Sequence, residues 1–370
     1  MISLNHMSEL KSVRNADVRG KRVLVRTDFN VPLHDGKIEN DLRIRASVAT
    51  LELLHQNGAA KIIILTSLGR PEGKVVEGLK LAPVEARLRE LTQVPFEMHE
   101  NLRFDPREEA GDEGFAKELA ALGDVFVNEA FADSHRAHAS IVGVPNYIPG
   151  FAGLRFGEEV ERLRTALTPP QGSVALIGGA KFETKEPLIK KLLTLYSEVL
   201  LGGALGNDVI KARGMPFGDS LTSKVPVDPD VAGNERLVVA TDAFVVEGEV
   251  NAERVASIAD IRKNESVIDI GPQTAVLWSD KISKAPFVLW NGPMGVYERG
   301  YADGTDALAQ TLARSGVQAV VGGGDTAAAV EKYQFDSAKV FVSTGGGAML
   351  DFLTEGTLPG VEALEGNAVA

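Results

Sequence analysis

The chain has 370 residues, too many for one hydrophobic core, and at roughly 150 residues per domain it divides into about two. Hydrophobic residues at 44% and charged residues at 24% exclude a disordered chain, and the absence of cysteine excludes disulfides, thiolate metal sites and cysteine nucleophiles. A formal net charge of −12 argues against a nucleic-acid partner.

The opening stretch, MISLNHMSEL, is polar where a secretory signal would be apolar, and no apolar run reaches the ~18–20 residues of a membrane span. A cytoplasmic protein with no membrane partner is expected. Runs at 23–29, 61–67, 124–129, 173–179, 197–203, 287–292, 318–324 and 339–345 stay apolar up to a small or polar end, which suits strands buried on both faces of a parallel sheet. Helical patterns lie between them, at 45–58 with a stop glycine and at 81–91 with proline near the start. The alternation predicts an α/β protein with parallel sheets.

The strand-end loops differ between the halves. Before about residue 160 they carry Arg26, Asp28, Asn30, Arg70, Arg103, His135, Arg136 and His138. After about residue 172 they carry Gly178–Gly179, Gly202–Gly203, Gly292, Gly322–Gly324 and Gly345–Gly347. Ligands of open α/β sheets bind beyond the carboxyl ends of the strands, so the first half offers a charged rim for an anion and the second a bare-backbone rim. Between them, LRFGEEVERLRTALTPPQG (154–172) reads as a connecting amphipathic helix stopped by Pro169–Pro170. The expected domains are 1–160 and 172–356, with an interdomain helix and hinge at 161–171.

GGGDTAAAVEKY (322–333) follows an apolar run and opens a helical pattern, with Asp325 where an N-cap would sit. A glycine-lined helix start admits a phosphate, although a plain turn with an Asp cap is the simpler alternative. A carboxylate there would repel a bare pyrophosphate but fits if Mg2+ lies between them. STGGGAM (343–349) repeats the device one strand later, and in GGAKFETK (178–185) Lys181 and Lys185 would share a face of a helix starting there. No Walker sequence and no G-x-S-x-G elbow occurs. In the first half Arg26, Arg43, Arg70, Arg103 and Arg136 fall in loops or at element ends, where their planar forks would converge on a small polyanion. HRAH (135–138) is a poor zinc site for want of a third ligand, and hydrogen bonding to an anion or to its own loop is expected. A domain for a small anion, a domain for a magnesium nucleotide and no evident nucleophile or base together suit phosphoryl transfer.

RTDFNVP (26–32), SLGRP (67–71), ENLRF (100–104), NEAF…HRAH (128–138), GGAKFETK (178–185), WNGPMGVYE (290–298), GGGDT (322–326) and STGGGA (343–348) follow one another in this order. From about residue 20 to 363 the chain resembles the phosphoglycerate kinase family. The resemblance implies two Rossmann-like domains with parallel sheets joined by a hinge helix, and a C-terminal tail at about 357–370 packing back on the first domain. It implies a glycolytic kinase that moves the acyl phosphate of 1,3-bisphosphoglycerate reversibly to ADP, giving 3-phosphoglycerate and ATP, and that works as a monomer. 3-Phosphoglycerate would bind Arg26, Asp28, Asn30, Arg43, Ser67, Arg70, Arg103 and Arg136. MgADP or MgATP would bind Lys181, Lys185, Gly202, Gly203, Asn291, Glu298, Gly322, Gly323, Gly324, Asp325, Thr326, Gly345 and Gly346, with Asp325 at the Mg2+. Arg43, Lys181, Lys185, Gly324 and Gly347 would carry catalysis.

Two stretches depart from the family. Its S-H-L-G-R-P reads TSLGRP here, which puts Ser67 in place of a histidine. Its N-D-A-F-G-T-A-H-R-A-H reads N-E-A-F-A-D-S-H-R-A-H, which puts Glu129, Ala132 and Asp133 at altered sites. Asp133 adds negative charge beside an anion pocket and would weaken substrate affinity. The arginines, both lysines and Asp325 remain, so an active variant is expected. The second reading, a nucleotide-binding homologue without catalysis, would have lost the arginines or Lys181. The third, an NAD-dependent dehydrogenase, would need an acidic ribose residue where Ser343–Thr344 stands.

Overall fold

In the computed structural model, residues 10–248, 250–330 and 332–366 are described, apart from the side chains of 250–252 and 325. The chain forms two compact units, one from the segment up to Glu161 together with the segment from Glu355, the other from Arg162–Thr354.

The first unit is built on a five-stranded parallel sheet in the order Glu97–Met98, Lys61–Leu65, Arg22–Arg26, Val125–Asn128, Gly150–Ala152. RVLVR and KIIIL expose only their first residue and VFVN is buried throughout, as strands covered on both faces must be. Helices Leu42–Gln56 and Ala82–Leu91 supply Ile44, Leu51, Leu54, Val84 and Leu88 to a core shared with Val23, Val25, Ile62 and Ile64. From Arg22–Arg26 the chain steps outward through Lys61–Leu65 to Glu97–Met98, then returns to Val125–Asn128 on the other side of the first strand. That reversal is a topological switch point, where the following loops diverge and leave a crevice.

The second unit has a six-stranded parallel sheet in the order Leu237–Val239, Glu198–Leu201, Val174–Ile177, Phe287–Asn291, Gln318–Gly322, Val340–Val342. Its direction reverses in the same way between Val174–Ile177 and Phe287–Asn291. Trp278 and Trp290 anchor its core against Leu176, Val288 and Val321. This unit also carries an antiparallel sheet of Val250–Ser257, Asp242–Glu247 and Glu265–Ile270. A search for continuous apolar runs passes over such a sheet, because a sheet with one solvated face is only half apolar. The observed strands also stop short of the expected runs: 23–29 is seen as Arg22–Arg26 and 339–345 as Val340–Val342. Their polar ends leave the ladder and form the rim.

Helix Leu154–Leu167 covers the amphipathic pattern and spans the boundary between the units. In the segment from Glu355, helix Pro359–Glu365 packs on the turn Ala139–Gly143, and the Gly360 N–H donates to the Ser134 carbonyl at 2.9 Å. Among the described residues no helix is long and apolar enough to cross a membrane.

Candidate functional site

At the first switch point Arg26 ends its strand level with Leu65 and Asn128. Asp28 and Asn30 follow it, Ser67 follows Lys61–Leu65, Arg103 sits in the turn Leu102–Phe104, and Asp133 closes the turn Phe131–Asp133. Arg26 is wholly buried. Its Nε donates to Ser140 Oγ at 2.8 Å, Nη1 to the Thr27 carbonyl at 2.6 Å and Nη2 to Asp133 Oδ2 at 2.9 Å. Arg103 donates to the Gly69 carbonyl at 2.9 Å and to Asp133 Oδ1 at 3.0 Å. Arg136 reaches the same Oδ1 at 3.3 Å, and the Ser67 hydroxyl donates to Oδ2 at 3.4 Å. Arg43 pairs with Asp28 at 2.9 Å and donates to the Asn30 carbonyl at 3.2 Å, while Asn30 Oδ1 accepts the Gly69 N–H at 2.9 Å. One network thus joins Arg26, Asp28, Asn30, Arg43, Ser67, Arg103 and Arg136. Arg70 stands apart, exposed, with no side-chain partner among the described residues.

The electrostatics follow from burial. Burial opposes a charge on Asp133, but Arg26 and Arg103 outweigh it and hold the carboxyl well below the usual range. Asp28 moves upward through burial, with Arg43 opposing and the Asp133 charge adding to the rise. Behind Arg26, at 3.9 Å, Glu108 is fully buried, accepts both the N–H and the hydroxyl of Ser140, and is pushed up by burial. Within FDPREEAG this glutamate reads as one more solvated charge, and nothing local in the sequence marks it. Burial and the charge of Arg26 bring His138 down to about 4, so its imidazole is neutral beside Glu108 at 3.8 Å. Among the described residues no group of three or more His, Asp or Glu could hold a metal by itself.

At the second switch point the turns after Val174–Ile177 and Phe287–Asn291 touch. The Gly178 N–H donates to the Asn291 carbonyl at 2.8 Å, and a Cβ on Gly292, at φ 96°, would stand 2.2 Å from the Gly178 carbonyl oxygen. Only glycine fits there. Lys185, on helix Phe182–Leu195, donates to the Gly178 carbonyl at 2.7 Å and to Asn291 Oδ1 at 3.2 Å. The buried Thr326 hydroxyl accepts the Gly292 N–H at 2.7 Å, and Gly323 lies against Asn291 and Thr326. Gly202 and Gly203 line a mainly apolar cleft with Ile258, Val267, Ile270 and Met294, with exposed Glu298 on its lining. Asp269 lines it too. Burial pushes its carboxyl up to about 7, against hydrogen bonds from the Gly304 and Ile270 N–H groups. The glycine motifs gave no sign of Asp269 or of the other cleft residues on Glu265–Ile270.

Three expectations about this half need correction or restriction. Lys181 does not share a helix face with Lys185; it is the N-cap of helix Phe182–Leu195, exposed, in the left-handed region at φ 64°. A non-glycine residue there costs about 1–3 kcal/mol, a strain that concentrates at functional sites. Helix Gly324–Val330 begins two residues earlier than expected, so Asp325 falls in its first turn rather than at its N-cap, and the Asp325 side chain lies outside those described. Gly347 begins helix Gly347–Glu355, and the Gly345 N–H is held by Ser343 Oγ at 3.1 Å. A Cβ on Gly324, Gly346 or Gly347 would meet no atom within 4 Å, so a ligand has room against these backbones.

The family model for phosphoglycerate kinase matches residues 13–99 and 96–356. A phosphoglycerate kinase from Roseiflexus sp. (strain RS-1) is 43% identical over 391 residues, covering 96% of this chain and 98% of its own. One from Pelotomaculum thermopropionicum is 39% identical over 388 residues with the same coverage. The solved phosphoglycerate kinase from Coxiella burnetii matches with a TM-score of 0.86 at 35% identity, over 97% of this chain and 100% of that one. That from Pyrococcus horikoshii OT3 matches at 0.80 and 26% identity, over 96% and 98%. Near-complete coverage at this identity, on a fold with the expected motifs at both switch points, settles the assignment: the chain belongs to the phosphoglycerate kinase family.

Proposed function

We propose that the chain catalyses the glycolytic phosphoryl transfer of its family, from the acyl phosphate of 1,3-bisphosphoglycerate to ADP and back. The observation that carries this reading is the arginine network on the rim of the first unit, to which we assign 3-phosphoglycerate. We assign the nucleotide to the second unit, its base against Gly202 and Gly203 in the apolar cleft and its ribose and phosphates near Glu298, Asn291 and Thr326. An oxygen of the ADP β-phosphate attacks the acyl phosphorus, the P–O bond to the acyl group breaks, and its electron pair leaves on the carboxylate of 3-phosphoglycerate.

No side chain has to carry the phosphoryl group, so the residues act by position and charge. Arg43, oriented by Asp28 and the Asn30 carbonyl, stabilises charge from the substrate side. Lys181, held in a strained exposed conformation without an ion-pair partner among the described residues, acts from the nucleotide side with Lys185. The open backbones at Gly324 and Gly347 lie along the phosphates. Magnesium, when bound with the nucleotide, neutralises phosphate charge. One carboxylate at Asp325 suits an ion that takes its other ligands from phosphates and water. Transfer requires the two ligands to meet, and a hinge at 161–171 is part of the same proposal, as are a monomeric state and a cytoplasmic location suited to an acidic, cysteine-free chain.

A coupled assay with 3-phosphoglycerate and MgATP tests the reading. ADP formation that does not depend on 3-phosphoglycerate would overturn it.

A further inference from the structure

Three guanidinium groups in the first unit already share an anion, and it belongs to the protein. Asp133 is 4% exposed, and its two oxygens receive Arg26 at 2.9 Å, Arg103 at 3.0 Å, Arg136 at 3.3 Å and the Ser67 hydroxyl at 3.4 Å. Arg26 directs Nε and both terminal nitrogens to protein acceptors, and Arg103 directs both of its terminal nitrogens to Gly69 and Asp133. A planar fork paired with one carboxylate has little left for a second. The arginines not consumed in this way are Arg70, exposed and without a side-chain partner among the described residues, and Arg136 and Arg43, each about one-third exposed, of which Arg43 commits only Nη1, to Asp28 and the Asn30 carbonyl.

We propose that Asp133 is a specificity-determining residue of the anion site: a resident carboxylate that occupies the buried arginine forks and sets how much negative charge an incoming ligand can bring. This rests on the assignment of a phosphorylated hydroxy acid to the site. The ligand must either displace Asp133 from Arg103 and Arg136 or bind through the outer arginines alone, and both routes weaken its hold. A neutral side chain of the same shape removes the competing charge and leaves the three guanidinium groups without their counter-anion.

The test uses the full chain and Asp133→Asn, with two readouts. In steady-state kinetics the KM for 3-phosphoglycerate falls about tenfold or more, the order of one charge-assisted hydrogen bond, while the KM for MgATP holds. In thermal unfolding, sodium sulfate raises the Tm of Asp133→Asn saturably above its effect on the wild type at the same concentrations, because sulfate supplies the negative charge that the arginines have lost. If the variant fails to fold in chloride, refolding in sulfate replaces the second readout, and recovery there supports the proposal. A KM for 3-phosphoglycerate that rises or stays put, an equal sulfate effect on both proteins, or no recovery in sulfate overturns it. A wild type without 3-phosphoglycerate-dependent activity would sink the functional assignment instead, and the sulfate comparison would still judge Asp133.

Discussion

The Glu129 carboxylate accepts the backbone N–H of Phe156 at 3.2 Å, and so holds the first turn of helix Leu154–Leu167 from a strand-end loop 27 residues earlier. The Arg155 N–H, also at 3.2 Å, and the Thr50 hydroxyl complete the arrangement. Two of the donors a helix start leaves unsatisfied are met by a residue outside the helix.

This glutamate should make stability depend on pH. Burial pushes it up from 4.5 to about 7, against the bonds from Thr50, Phe156 and Arg155. The folded state therefore keeps a proton that the unfolded chain gives up. The stability it lends is complete below the unfolded value and is lost as pH rises through the folded one, by up to about 3 kcal/mol. Glu129→Gln is neutral throughout, so its Tm relative to the wild type should rise between about pH 5 and pH 8. A constant offset across that window would show that Glu129 does not titrate within it.

Arg43 and Lys181 should each matter most in the transition state. Removing either should lower kcat ~10²-fold or more, the order seen when one preorganised charge-stabilising donor is lost. Ground-state binding should change much less. Lys181 is exposed, so Lys181→Ala should fold normally. An Arg43→Ala enzyme with raised KM and wild-type kcat would contradict the two-sided mechanism.

Asp325→Asn should weaken magnesium-nucleotide binding and leave 3-phosphoglycerate binding near normal. Calorimetric titration with each ligand separates the two. Equal losses would make Asp325 a structural part of its helix.

Ser67 and Asp133 should be coupled. Ser67 is 1% exposed and wedged between Arg26 and Asp133 at 3.5 and 3.4 Å, so Ser67→His alone should overpack and cost about 1–3 kcal/mol. Adding Asp133→Thr, the family's residue there, should return part of that loss. A double-mutant cycle summing to zero would show that the two departures are independent.

The residues at the strand ends were legible because charge and glycine stand out against apolar runs. Arg26, Asp28, Asn30 and Ser67 meet Arg43, Arg103 and Arg136 because parallel strands deliver all their following loops to one edge. The charge of Asp133 was visible, but its sharing by three guanidinium groups is a property of tertiary convergence that no spacing encodes. Glu108 sits in a polar stretch and is buried only because Ser140 and Arg26 come to it from distant loops. The helix start at Lys181 hid its left-handed backbone, since nothing about a lysine announces φ 64°. The cleft residues on Glu265–Ile270 were lost because half-solvated strands lack the continuous apolar signature.

The return of the chain to its first unit has a consequence for synthesis. All six strands of the second sheet lie between Val174 and Val342, so that unit can close as soon as its own segment has left the ribosome. The first unit cannot. Its Ser134 carbonyl and the buried Ile141 await Gly360, which is translated only after every strand of both sheets. The loop bearing Asp133 therefore gains its buttress only after both sheets have been made. A polypeptide released at Thr354 would hold every strand of both sheets and still lack the piece that braces the loop bearing Asp133.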